Sequence, residues 1–140
     1  MAKTLKLKIV TPERQVLTKD VDQVILPGVA GSFGVLPEHA PMLVALKPGM
    51  VKVLHGSQSE VYSCSGGYAE VTGEEVVLLA DALETGVEIN PERAKKAQQR
   101  AEERLAKRTE DTDTARAQAA LLRALVRLKV YEQNQLAGKK

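Results

Sequence analysis

The chain has 140 residues, 44% of them hydrophobic, and a formal net charge of +2, which is enough apolar material for a folded core and excludes a disordered chain. No run approaches the ~18 consecutive apolar residues of a membrane helix, and the opening MAKTLKLKIV lacks the apolar stretch and cleavage site of a secretory signal, so a cytoplasmic protein is expected. The small net charge conceals two unlike parts: residues 1–90 hold 7 Lys/Arg against 11 Asp/Glu, whereas residues 91–140 hold 13 against 7.

Short strands come first. Leu5, Leu7 and Ile9 alternate with Lys6 and Lys8, and Val21, QVIL, MLVAL, MVKVL, EVYSC, YAEV and EVVLLA follow. Between them stand Pro27-Gly28, Gly31, Gly34, Pro37, KPG, HGSQ, SGG and TGE. Turn residues at such close spacing predict a small antiparallel β-sandwich or flattened barrel over residues 1–86. Cys64, the single cysteine, excludes an intramolecular disulfide framework. Its place in an alternating strand, with no basic residue nearby in sequence, predicts a buried structural thiol.

The pattern changes at EINPERAKKA. Asn90 is a good helix N-cap and Pro91 fits the first helical position. Ala94, Ala97, Ala101 and Leu105 then recur at spacings of three and four, a narrow alanine-rich stripe. TEDTDT, residues 109–114, supplies a turn and a second N-cap. In RAQAALLRALVRLKV, Ala117, Leu121, Ala124, Leu125 and Leu128 form one apolar stripe and Leu122, Val126 and Val130 a second, roughly opposite. Arg116, Arg123 and Arg127 fall on a third face. These two helices predict an antiparallel hairpin over residues 88–136, with a tail at 137–140. Alanines facing leucines forgo ~2 kcal/mol per position relative to a leucine seam. A loosely held hairpin that opens is therefore expected, its second apolar face serving another partner at another time.

Catalytic chemistry finds little support. His39 in LPEHAPM reads as a loop or interface residue and His55 in LHGSQ as a turn. No serine or cysteine stands in a nucleophile setting, and no Cys/His spacing fits a metal. The glycines of GVAGSFG lack the Lys-Ser/Thr ending of a phosphate loop and read as strand-turn geometry. A basic hairpin raises nucleic acid, but aromatics are 3% of the chain, none lies among the arginines, and Glu102 and Glu103 interrupt the first helix. Nucleic acid is not expected; a freestanding module using the basic hairpin for it is the alternative.

The order VTPERQVL, VDQVILPGVAGSFGVLPEHAPMLVALKPGMVKV, SGGYAEV and VVLLADALE, followed by two basic helices ending in LLRALVRLKV, resembles the epsilon subunit of bacterial F-type ATP synthases over essentially the whole chain. The resemblance implies a non-catalytic rotor subunit that requires no cofactor. It would lie peripherally on the cytoplasmic face of the inner (plasma) membrane, with the sandwich contacting the gamma subunit and the c-ring. It further implies that the loop containing Gly31, Ser32, Phe33, Gly34, Glu38, His39, Ala40, Pro41 and Met42 faces the c-ring; Ser32 stands where some relatives carry an acid. The hairpin would either fold on the sandwich or extend into the head of alpha and beta subunits, where Arg116, Arg123, Arg127 and Lys129 would meet an acidic segment of beta and block hydrolysis.

Many bacterial members also bind ATP as a regulatory ligand on the folded hairpin through Ile/Leu-Asp-x-x-Arg-Ala and later arginines. By that resemblance the residues here are Glu84, Ile89, Asn90, Arg93, Ala94, Arg100, Arg123 and Arg127. All four arginines are expected to meet only when the hairpin is closed. Asn90 replaces the Asp of the motif, an uncharged and weaker acceptor that also serves as an N-cap.

Overall fold

The computed structural model describes residues 3–13 and 15–137. Among them are ten strands: β1 (Leu5–Val10), β2 (Gln15–Val21), β3 (Gln23–Gly28), β4 (Gly31–Val35), β5 (Met42–Leu46), β6 (Gly49–His55), β7 (Gln58–Cys64), β8 (Gly67–Val71), β9 (Glu75–Ala80) and β10 (Leu83–Thr85). Two helices follow, α1 (Pro91–Ala106) and α2 (Thr114–Ala137). The strands run in the order β10-β7-β6-β3-β5-β8-β9-β1-β2, with β4 paired to β3. Strand β3 serves both halves of the curled sheet, pairing with β6 through Gln23–Ile25 and with β5 at Gly28. All neighbours are antiparallel except β1 and β9, which run parallel from Lys6↔Glu75 to Val10↔Leu79.

Alternation decides the core. Leu5, Leu7 and Ile9 are fully buried while Lys6 stays exposed between them. They meet Val24 and Leu26 of β3, Val51 and Val53 of β6, Val71 of β8, and Val76 and Leu78 of β9 in one cluster. The SGG segment has a backbone reason: Gly66 and Gly67 take φ of +115° and +139°, and a Cβ at Gly67 would lie 2.0 Å from the Leu79 carbonyl oxygen.

Three features depart from the sequence expectations. Strand β2 extends back from Val21 to Gln15, and β4 and β10 are additional. Strand β4 reads GSFGV and β10 spans three residues, so neither offers an alternating pattern long enough to register. His55 is the last residue of β6, opposite Gln58, and the turn is Gly56-Ser57; Gly56 supplies the φ of +60° that the first position of a type II′ hairpin needs.

Asn90 caps α1 by accepting the Arg93 amide at 3.1 Å, with Pro91 behind it. Asp113 caps α2 by accepting the Arg116 amide at 3.0 Å. The buried residues along the seam are alanines on both sides, Ala94 and Ala101 on α1 and Ala117 and Ala124 on α2. Of the leucines expected there, Leu121 and Leu128 are half-buried and Leu125 is 43% exposed. The second apolar face is largely covered in the folded hairpin. Val126 and Val130 join Ile89 in a cluster with Met50, Val61 and Tyr131, so α2 packs one side on α1 and another on the sandwich, while Leu122 of the second face stays 37% exposed. Ala137 is still helical, and residues 138–140 of the predicted tail lie outside the described residues.

Candidate functional site

A pocket of about 570 Å³ opens where the start of α1 and the middle of α2 meet β10 and the connector after it. Its walls are Glu13, Ala82, Glu84, Glu88, Ile89, Asn90, Arg93, Ala94, Ala97, Arg100 and Arg127. The fold thus gathers Glu84, Ile89, Asn90, Arg93, Ala94, Arg100 and Arg127, seven of the eight residues that the motif resemblance named. Arg93 and Arg100 stand two turns apart on α1 and share its pocket-facing side. Arg123 departs from the expectation: it is half-buried one turn before Arg127 on α2 and is not part of the pocket wall.

Charge in the pocket is balanced. Arg127 Nε donates to Glu84 Oε1 at 2.6 Å, joining α2 to β10. Glu88 Oε1 accepts from the Thr85 amide at 3.1 Å and its hydroxyl at 3.0 Å, tightening the connector. Glu13 and Glu88, which sequence reading missed, complete the acidic side. No local signal marks them. Glu13 follows β1 and comes beside residues 82–100 only because β1 pairs with β9, whose chain leads into β10.

The remaining cations of α2 do not make one surface. Arg116 is exposed at the hairpin turn, beside a shallow depression shared with Arg104, Thr112, Asp113 and Ala117. Lys129 is exposed on a side that also carries Leu122 and Leu125, 37% and 43% accessible.

The loop assigned to the ring by resemblance occupies one end of the sandwich. Gly31, Ser32 and Gly34 of β4 are exposed, whereas Phe33 packs on the core. Glu38 holds a left-handed φ of 69° and is ion-paired with Lys3. His39 Nδ1 donates to the Ala40 carbonyl at 2.7 Å. Ala40 and Pro41 are exposed and Met42 packs on the core as β5 begins. Val29 and Leu36, 61% and 56% accessible, add apolar surface nearby in sequence.

Elsewhere, titratable groups serve structure. Cys64 is buried, its Sγ 3.6 Å from the Gly66 carbonyl, and burial pushes its thiol up. Burial and a hydrogen bond to Glu60 push the Tyr62 phenol up. The described residues contain no group of three or more His, Cys, Asp or Glu placed to hold a metal ion.

A curled β-sheet carrying a two-helix hairpin, with a charged pocket between them, defines the class of protein. Residues 4–86 match the ATP synthase Delta/Epsilon chain beta-sandwich domain and residues 88–132 the ATP synthase Delta/Epsilon chain long alpha-helix domain. The chain belongs to this ATP synthase delta/epsilon family. It is 46% identical to the ATP synthase epsilon chain of Desulforamulus reducens over 94% of this chain and 100% of that one. It is 49% identical to that of Syntrophobacter fumaroxidans over 94% and 98%. The epsilon chain is a non-catalytic subunit of ATP synthase, and this membership removes the ground for a freestanding nucleic-acid module. In solved structures, a chain of the Euglena gracilis mitochondrial ATP synthase OSCP/F1/c-ring assembly shares the fold with a TM-score of 0.70 at 23% identity, covering 96% of this chain and 81% of that one. A chain of the Tetrahymena thermophila central stalk and c-ring gives a TM-score of 0.56 at 15% identity, covering 96% and 98%.

Proposed function

We propose that this chain is the rotor-borne epsilon subunit of an ATP synthase, with a docking sandwich of residues 1–86 and a regulatory hairpin of residues 88–136. The sandwich joins the gamma subunit to the c-ring, and its end formed by β4 and residues 36–42 faces the ring. No described helix is long and apolar enough to cross a membrane. In this reading the subunit reaches the membrane through its partners, on the cytoplasmic side. The hairpin inhibits ATP hydrolysis when it leaves the sandwich and enters the head of alpha and beta subunits, where Arg116, Arg123 and Lys129, joined by Arg127 once released, meet acidic surface.

The folded hairpin binds ATP as a regulatory ligand in the pocket beside Glu84. The observation that carries this reading is convergence: Arg93 and Arg100 from α1 and Arg127 from α2 line one cavity of about 570 Å³, together with Ile89, Asn90 and Ala94. A polyphosphate is the ligand class that three guanidinium groups fit. Because ATP binds only the closed form, it stabilises that form by RT ln(1 + [L]/Kd) and relieves inhibition when plentiful.

Two measurements test the reading. Hydrolysis by the assembled head should fall when the subunit is added and recover as ATP rises; an unaffected rate rejects the inhibitory role. Isothermal titration of the subunit with ATP should give heat that is strengthened in Asn90→Asp and lost in Arg93→Ala. Absence of binding by every variant at millimolar ATP rejects the nucleotide site and leaves the arginines to the head.

A further inference from the structure

The pocket offsets its own charge. Arg93, Arg100 and Arg127 enter it from the helices, and Glu13, Glu84 and Glu88 face them from the sandwich and connector. Three cations set against three carboxylates need no bound anion. Of these groups, Arg127 and Glu84 are in direct contact at 2.6 Å, with side chains 31% and 30% exposed. Glu84 sits on β10, which is fixed to β7 by the pairs Leu83↔Cys64, Glu84↔Ser63 and Thr85↔Tyr62. Arg127 sits on the element that must move if the hairpin opens. Its neighbour Val126, and Val130 one turn further on, are seated in the apolar cluster with Ile89, Met50 and Val61. The ion pair and the apolar contact therefore pull the same turn of α2 onto the sandwich.

We propose that Arg127 and Glu84 form a clasp that holds the hairpin closed in the absence of any nucleotide, Glu84 giving Arg127 the anionic partner that a phosphate would otherwise supply. This rests on the reading of the hairpin as the mobile element and is independent of whether ATP binds. Closure is then the resting state of the isolated subunit. A ligand entering the pocket must compete with Glu84 for Arg127, and salt weakens the clasp by screening its half-exposed charges.

The test uses the full chain, freed of nucleotide, with dyes on Ser57→Cys in the β6–β7 turn and Leu136→Cys near the end of α2, both exposed positions. Cys64 is buried and stays unlabelled. Energy transfer reads the closed fraction. Glu84→Gln and Arg127→Gln should each lower the closed-to-open ratio roughly two- to fivefold, the range that a partly exposed pair supplies. The charge-reversed double variant, Glu84→Arg with Arg127→Glu, should move the ratio back toward that of the parent. Glu84→Asp, which shortens the reach by one methylene, provides a second, milder variant with the same expected direction if Glu84→Gln folds poorly. A parent hairpin that is closed but indifferent to all these changes overturns the clasp alone. A hairpin that closes only when ATP is added overturns the clasp and supports the nucleotide site. A hairpin that is open under both conditions overturns the clasp together with the closed-state reading on which it rests.

Discussion

A Cβ placed on Gly86 would lie 2.3 Å from Asn134 Cβ and 3.2 Å from the Val130 carbonyl oxygen. Both obstructing atoms belong to the backbone level of α2, so no change of rotamer relieves them. Gly86 is thus the place where the connector lets the helix settle on the sandwich. Replacing it by alanine should cost the closed state about 1–3 kcal/mol, the usual penalty of overpacking. The main core, built from β-strand residues, should be untouched. Energy transfer across the hairpin should fall in Gly86→Ala while the sandwich unfolds at its parental denaturant concentration. Gly73→Ala is the control, since a Cβ there meets nothing closer than 3.7 Å. A closed fraction equal in both variants would show that α2 does not depend on this approach.

A chain ending after residue 88 should retain the sandwich. All residues of the main core lie between Leu5 and Leu83, whereas the cluster that binds the hairpin draws on Ile89, Val126 and Val130. Truncation therefore uncovers the half-buried Met50 and Val61 but opens no cavity in the main core. Circular dichroism should show a cooperatively folded β protein. In the assembled enzyme, inhibition of hydrolysis should fall while ATP-driven proton pumping persists. Loss of pumping, or an unfolded fragment, would place part of the coupling function in the hairpin.

These two expectations draw on features that the sequence carried unequally. Strand β1 was legible because Leu5, Leu7 and Ile9 alternate with lysines, and α1 because Asn90-Pro91 opens a run of helix formers. Strand β4 was not, because two glycines and a serine leave only Phe33 and Val35 to show a face. The basic half of the pocket was legible through the family resemblance, which named Arg93, Arg100 and Arg127. Of its acidic half only Glu84 was, because Glu13 reaches the same pocket wall through the parallel β1–β9 pairing, which has no local signature. The same limit explains the second face of α2: periodicity reveals that Val126 and Val130 share a side, not that β6 and β7 are what covers it.

Glu60 offers a pH test of sheet closure. Lys19 Nζ on β2 lies 2.6 Å from its carboxylate, and the Tyr62 hydroxyl donates to the other oxygen. These hydrogen bonds, with the one from Lys19 the stronger influence, hold the Glu60 carboxyl below its usual range. A carboxylate with a depressed value in the folded state stabilises that state above its unfolded value and loses the contribution as pH falls through the folded one. The gap in stability between the parent and Glu60→Gln should be full near neutral pH and close below about pH 4. With the side chain 47% exposed, it should stay under about 1 kcal/mol. Denaturant unfolding across that range measures it, and a gap that widens in acid would contradict the assignment.

Asn90 and Arg93 separate the structural and ligand roles of one motif. In Ile89-Asn90-Pro91-Glu92-Arg93-Ala94, Asn90 is the N-cap, accepting from the Arg93 amide at 3.1 Å, and Pro91 takes the first helical position. Ile89 precedes the cap and Ala94 is the fourth helical residue, both buried, which is the spacing of a hydrophobic staple. Helix initiation thus accounts for every residue of the motif except Arg93. At the third helical position a glutamate or glutamine would return a bond to the cap, and a cation near a helix N-terminus is disfavoured by about 0.3–1 kcal/mol. Arg93 is therefore the residue at which a pocket role can be separated from helix initiation. Asn90→Ala should cost about 1 kcal/mol of hairpin stability whether or not ATP is present. Arg93→Gln completes the capping pair, so α1 should be at least as resistant to amide exchange as in the parent. The same change removes one of three guanidinium groups from the pocket, and calorimetric ATP binding should be lost. If ATP binds Arg93→Gln as it binds the parent, the polyphosphate does not lie where Arg93 and Arg100 converge. If Arg93→Gln instead weakens α1 without ATP, Arg93 serves the hairpin itself, and its position in the pocket wall gives no ground for a nucleotide.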